Sequence, residues 1–118
     1  MKRIRVGCIP AAGKGERLGF LTNVLPKALL PLWKKPIIHY IVDNMKMLGV
    51  KEIHVIVNYK REMIEDYLKN NINGVEFNFV LQKELKGIAH AISLIEDVVS
   101  EEFITILGDD VSVSNSFK

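Results

Sequence analysis

The stretch IRVGCIPAAGKGERLG, residues 4–19, decides how the rest of the chain is read. Ile4–Pro10 is largely apolar and reads as a buried strand, and it runs directly into small residues and glycines. Gly13 and Gly15 carry no Cβ, so the backbone there can bend sharply and come close to a ligand. The exposed N–H groups of such a bend form an anion-binding hollow. Lys14 and Arg17 add positive charge beside it. Phosphate is the guest that this chemistry suits.

Two familiar phosphate loops do not fit. A P-loop needs G-x-x-x-x-G-K followed by Ser or Thr. Here five residues separate Gly7 from Gly13, and Gly15 follows Lys14. A dinucleotide fingerprint needs G-x-G-x-x-G, but Leu18 stands at the third glycine position and Gly19 comes one residue late. The acidic residue expected about 20 positions further on is also missing. Taken alone, Gly13 and Gly15 also fit a plain tight turn.

Outward from this loop, helical and strand-like patterns alternate. From Pro36, apolar residues fall at positions 37, 38, 41, 42, 45 and 48. That is a helical stripe, and Gly49 is placed to end it. Glu52–Tyr59 is rich in β-branched residues and reads as a strand. Lys60–Asn70 reads as a short helix, Glu76–Gln82 as a third strand, Gly87–Val99 as a helix and Phe103–Leu107 as a fourth strand. Near-continuous apolar strands separated by helices predict a parallel sheet covered on both faces, with right-handed crossovers. Ligands of such sheets bind beyond the carboxyl ends of the strands. The glycine loop, Gln82 and Gly108-Asp109-Asp110 all fall there.

Bulk properties narrow the class further. At 118 residues, with 48% hydrophobic and 25% charged residues, the chain reads as one soluble globular domain with a real core. No run approaches the roughly 18 apolar residues of a membrane span, and the basic N-terminus feeds a strand rather than a signal peptide. The single cysteine, Cys8, cannot form an internal disulfide; it fits a reducing cytoplasm and reads as a small buried hydrophobe. Net charge is only +2, yet residues 1–61 hold 12 Lys/Arg against 3 Asp/Glu, and residues 62–118 hold 4 against 11. A basic first half suits an anionic ligand or a nucleic acid, and also suits two halves that neutralise each other across a folded surface.

A longer pattern goes beyond the lone glycines. Gly13-Lys14-Gly15-Glu16-Arg17-Leu18, then Thr22, then Pro26-Lys27-Ala28-Leu29-Leu30-Pro31-Leu32 resembles G-x-G-x-R-L-x-P-x-T-x-x-x-P-K-x-x-L-P of the sugar-1-phosphate nucleotidyltransferases. These are the nucleoside-diphosphate-sugar pyrophosphorylases. Phe20 departs from the pattern, standing where the family usually has a proline that would stiffen the loop. Gln82 followed by Gly87-Ile88-Ala89-His90-Ala91 is similar to the family segment that holds the nucleobase, and Leu107-Gly108-Asp109 to its L-G-D, whose aspartate binds magnesium. The resemblance runs from about residue 4 to about residue 111.

The resemblance implies a fold and a chemistry. The fold is a Rossmann-like three-layer α/β sandwich of the nucleotide-diphospho-sugar transferase type, with a mostly parallel sheet. In the reaction, a sugar 1-phosphate attacks the α-phosphorus of a nucleoside triphosphate, dTTP or UTP being favoured, and pyrophosphate leaves. Ala11, Ala12, Gly13 and Gly15 would hold the nucleotide, and Gln82 and Gly87 would read the base. Arg17 would offset charge on the departing pyrophosphate, its guanidinium fork pairing with two phosphate oxygens. Lys27 would touch the α-phosphate or the sugar phosphate, and Asp109 would bind Mg²⁺. His39 and His54 read as structural, His90 as helix-surface packing, and Trp33 with Lys34 and Lys35 as a loop anchor.

Family members are longer than 118 residues, and their later portion supplies most of the sugar pocket. Residues 1–118 are therefore expected to be the N-terminal, nucleotide-binding part of a cytoplasmic enzyme, with nucleic acid and membrane excluded as partners and homo-oligomerisation left open. The alternative is a non-catalytic nucleotide-binding or regulatory module.

Overall fold

The computed structural model describes residues 4–12, 26–58, 60–84, 86–96, 99 and 101–106. Four strands form one parallel sheet: β1 (Val6–Pro10), β4 (Glu52–Val57), β5 (Glu76–Leu81) and β6 (Phe103–Thr105), in the order β5-β4-β1-β6. Between β1 and β4 lie a 3-10 turn at Lys27–Leu29, a small antiparallel hairpin of β2 (Pro31–Leu32) and β3 (Lys35–Pro36), and helix α1 (Ile37–Met47). Helix α2 (Arg61–Asn71) joins β4 to β5, and α3 (Ile88–Glu96) joins β5 to β6.

The apolar alternation along the strands sorts these helices into two layers. Ile9, Ile53, Val55 and Val57 share one continuous core with Ile38, Ile41, Val42 and Met45 of α1 and with Ile64 and Leu68 of α2. Cys8 and Ile56, of opposite parity, share a second core with Ala91 and Ile95 of α3. The connections through α1 and α2 step the same way along the sheet and share a face. The connection through α3 steps back across β4 and β1 and lies on the other. A constant crossover hand demands this arrangement, and the three-layer expectation holds.

Gly49 ends α1 as the sequence predicts. Its φ is +96°, and two hydrogen bonds close the helix: Val50 N–H donates to the Met45 carbonyl at 3.0 Å and Gly49 N–H to that of Lys46 at 3.0 Å. This is the Schellman pattern, with Met45 and Val50 as its usual apolar pair. Those two side chains then meet the sheet at Gly7. A Cβ built there would stand 2.6 Å from Met45 Sδ and 3.4 Å from Val50 Cγ1. Cys8, one residue on, is fully buried. Burial pushes its thiol up to about 12 against the opposing pull of a Thr105 side-chain hydrogen bond, so it packs as a neutral hydrophobe.

Residues 31–36 carry no periodicity, and the two-residue strands there fall below what a pattern can reveal. Trp33 is the correction: it sits at the hairpin tip, 88% exposed, and is not held as an anchor by the described residues. Its φ is +62°, a conformation that usually falls to glycine. The hairpin is tied instead by its neighbours, for Lys35 Nζ donates to Asp43 Oδ2 at 2.8 Å and Tyr40 hydroxyl to the Leu32 carbonyl at 2.6 Å.

The histidines read as structural are so. His54 Nε2 lies 2.6 Å from Glu52 Oε2, two residues back on the same strand face. His39 Nδ1 lies 2.6 Å from the Tyr67 hydroxyl and joins α1 to α2. Burial, the main cause, holds His39 below its ordinary value of 6.5, against the raising influence of Asp43; Lys35 and Lys46 add to the lowering. The Tyr67 hydroxyl is pushed up, chiefly by burial. Because the folded His39 binds its proton less readily than the unfolded one, stability is complete above the unfolded value and declines as pH falls below it. Urea midpoints should therefore drop as pH falls below about 6.5, and His39→Gln should flatten that slope.

Candidate nucleotide site

The carboxyl ends of β1 and β5 carry Ala11, Ala12 and Gln82. β1 sits between β4 and β6, with Pro10 beside Ile56, and Ile56 beside Val80. The chain order reverses across β1 and β6, and doubly wound sheets bind ligands in the crevice at such a point. Ala11 leaves β1 with its N–H still bonded to the Ile56 carbonyl at 2.8 Å. Ala11 and Ala12 are both buried, but on opposite sides. Ala11 belongs to the core of α1 and α2, which also holds Ala28 and Leu29. Ala12 belongs to the core of α3, with Ala91.

That division brings two further segments to the edge. Burial of Ala28 and Leu29 seats the 3-10 turn that carries Lys27, and Leu29 N–H closes the turn on the Pro26 carbonyl at 2.9 Å. Lys27 is half-buried. On the other side, Ala91 N–H donates to the Gly87 carbonyl at 3.2 Å, so the helix packed on Ala12 begins at Gly87. Gly87 has φ +95°, and a Cβ there would meet nothing within 4 Å. Backbone conformation, not packing, therefore calls for glycine at this position.

Gln82 follows β5 directly and is only 3% exposed. Its N–H donates to the Val57 carbonyl at 2.9 Å, and its own carbonyl accepts from Asn58 Nδ2 at 2.5 Å. Its side-chain Nε2 lies 3.4 Å from the Gly87 carbonyl and 3.0 Å from His90 Nδ1. His90 is thus more than surface packing, because it binds the candidate base reader. Asn58 is a residue that sequence reasoning did not assign, and His90 one that it read only as helix-surface packing. Asn58, a short amide at the end of an apolar strand, was the one visible signal.

The structure thus brings Ala11, Ala12, the Lys27 turn, Gln82 and Gly87 to one edge of the sheet. From β1 to β5 is two interstrand steps of about 4.8 Å each, comparable to the span from a nucleotide's phosphate to its base. Gly13, Gly15, Arg17 and Asp109 lie outside the described residues. Among the described residues no group of three or more His, Cys, Asp or Glu side chains could hold a metal, and no helix is long and apolar enough to cross a membrane.

Comparison with known proteins shows the family. Residues 6–118 match the nucleotidyl transferase family. A UTP–glucose-1-phosphate uridylyltransferase of Haloferax volcanii is 38% identical over 105 residues, covering 89% of this chain and 43% of the relative. A solved UDP-glucose pyrophosphorylase in complex with UDP-glucose superposes with a TM-score of 0.80 at 33% identity, over 90% of this chain and 46% of that one. The inositol-1-phosphate CTP transferase of T. maritima gives 0.79 at 27% identity, over 92% and 44%. The chain spans about half the length of these relatives or less. A match that runs from β1 to the last residue, with the same fold in its relatives, makes this chain a member of the nucleotidyl transferase family.

Proposed function

We propose that the chain holds the nucleotide for transfer of a nucleotidyl group from a nucleoside triphosphate, UTP or dTTP in preference, to a sugar 1-phosphate. The observation that carries this reading is the meeting of Ala11-Ala12, the Lys27 turn and the Gln82–Gly87 pair on one carboxyl edge. The uridylyltransferase relatives support the choice of base and of glucose 1-phosphate as the first sugar to try.

In this reading an oxygen of the sugar 1-phosphate forms a bond to the α-phosphorus, and the bond from that phosphorus to the β-phosphate oxygen breaks. Pyrophosphate carries the electron pair away. Both reactants are anions, so the protein's work is charge neutralisation and alignment rather than covalent catalysis. Lys27 offsets charge at the α-phosphate or the incoming phosphate, Arg17 offsets it on pyrophosphate, and the backbone at Ala11, Ala12, Gly13 and Gly15 seats the nucleotide. Gln82 and Gly87 meet the base.

Mg²⁺ fits the donor chemistry of this site, since Asp109 is a hard carboxylate and the triphosphate supplies hard oxygens. When bound, it neutralises phosphate charge. Residues 1–118 act as the nucleotide-binding part, and we assign the protein to the cytoplasm.

A pyrophosphate-release assay on the full protein, scanning UTP, dTTP, CTP and GTP against several sugar 1-phosphates, tests the proposal. Release with UTP or dTTP is expected. Nucleotide binding without release for any pair would replace it with the non-catalytic module.

A further inference from the structure

We propose that His90 sets which way the Gln82 amide faces the base, and so decides between uridine-type and cytidine-type nucleotides; this rests on the nucleotide site proposed above. The Gly87 carbonyl can only accept a hydrogen bond, so the amide atom 3.4 Å from it must be the donor Nε2. The same Nε2 lies 3.0 Å from His90 Nδ1. His90 Nδ1 is therefore the acceptor, and the imidazole carries its proton on Nε2.

This leaves Oε1 as the amide atom that can meet a ligand, and among the described residues no donor meets it. A fixed acceptor suits the N3–H of uracil or thymine. It opposes the N3 lone pair of cytosine, which would leave two acceptors face to face. Each such mismatch leaves a buried polar group unsatisfied. The preference lasts only while the amide cannot turn over.

What prevents the turn is His90. The contact to Gly87 is long for an N–H···O bond, whose usual range is about 2.7–3.2 Å, and holds the amide weakly by itself. The Gln82 backbone is clamped by Val57 and Asn58, so only the side-chain torsion stays free, and His90 fills that gap. His90 is itself held in the first turn of α3, which Ala91 and Ile95 bury. Its carbonyl accepts from Ser93 Oγ at 2.6 Å. Beyond it lies a shallow groove of about 260 Å³ lined also by Leu81, Lys83, Glu84 and Leu94.

Calorimetric titration of the full protein with UTP, CTP and inorganic tripolyphosphate tests this, using wild type, His90→Leu and His90→Asn. Leucine fills the space without an acceptor. Asparagine puts Oδ1 where Nδ1 stood and restores one. Wild type should prefer UTP, and His90→Leu should narrow the UTP/CTP ratio about tenfold with tripolyphosphate affinity unchanged. His90→Asn should bring most of the ratio back. A full ratio in His90→Leu, or equal losses in both variants, overturns the role of His90 and leaves the nucleotide site standing. A wild type indifferent to the base overturns it as well, and a wild type that binds neither nucleotide overturns both.

Discussion

Arg17→Ala is expected to lower pyrophosphate release by about 10²–10³-fold, the usual cost of removing one aligned charge donor from a transition state. Lys14→Ala should cost far less. The difference lies in geometry. A guanidinium presents a planar fork that pairs with two phosphate oxygens at once, whereas an ammonium in the same loop acts as a point charge. Charge builds on the leaving pyrophosphate only as the reaction proceeds, so the loss in Arg17→Ala should fall mainly on kcat. Arg17→Lys should recover little. Steady-state release with UTP and glucose 1-phosphate reads out all three variants. Equal losses in the Arg17 and Lys14 variants would mean that the loop attracts phosphate by charge alone.

Gly7→Val should destabilise the fold by about 3 kcal/mol, the upper end of what overpacking costs. Gly7 sits on β1, bonded on one side to β4 at Ile53 and on the other to β6 at Ile104. The strand cannot slide away from an added side chain. Above it stand Met45 Sδ and Cε, 2.6 and 3.2 Å from where a Cβ would be. Met45 is fully buried in the turn that closes α1, with Val50 behind it, so its usual flexibility has little room to act. Gly7→Ala should cost about 1–2 kcal/mol. In that background the further loss on Met45→Ala should be smaller than in wild type, because the two atoms compete for one space. Urea unfolding followed by circular dichroism measures each variant, and additive losses would contradict the steric account.

The strands were legible because a sheet buried on both faces leaves unbroken runs such as Glu52–Val57, and Gly49 marked the end of α1 because a left-handed closing residue favours glycine. Of the carboxyl-edge convergence expected of the glycine loop, Gln82 and Gly108-Asp109-Asp110, Gln82 lies directly after β5 at that edge, and the glycines and aspartates fall outside the described residues. The β2–β3 hairpin was not legible, since two-residue strands have no period to detect. Nor was the bond between Gln82 and His90. It depends on how far α3 is rotated about its axis, which the packing of Ala91 and Ile95 sets, not the spacing of eight residues between them.

The chain has a single tryptophan, and it stands in water at the hairpin tip. Its fluorescence will therefore change little as the core melts, because the indole is already solvated in the native state. The same ring becomes a sensitive reporter for anything that settles over the hairpin. A blue-shifted emission would register that event without a label.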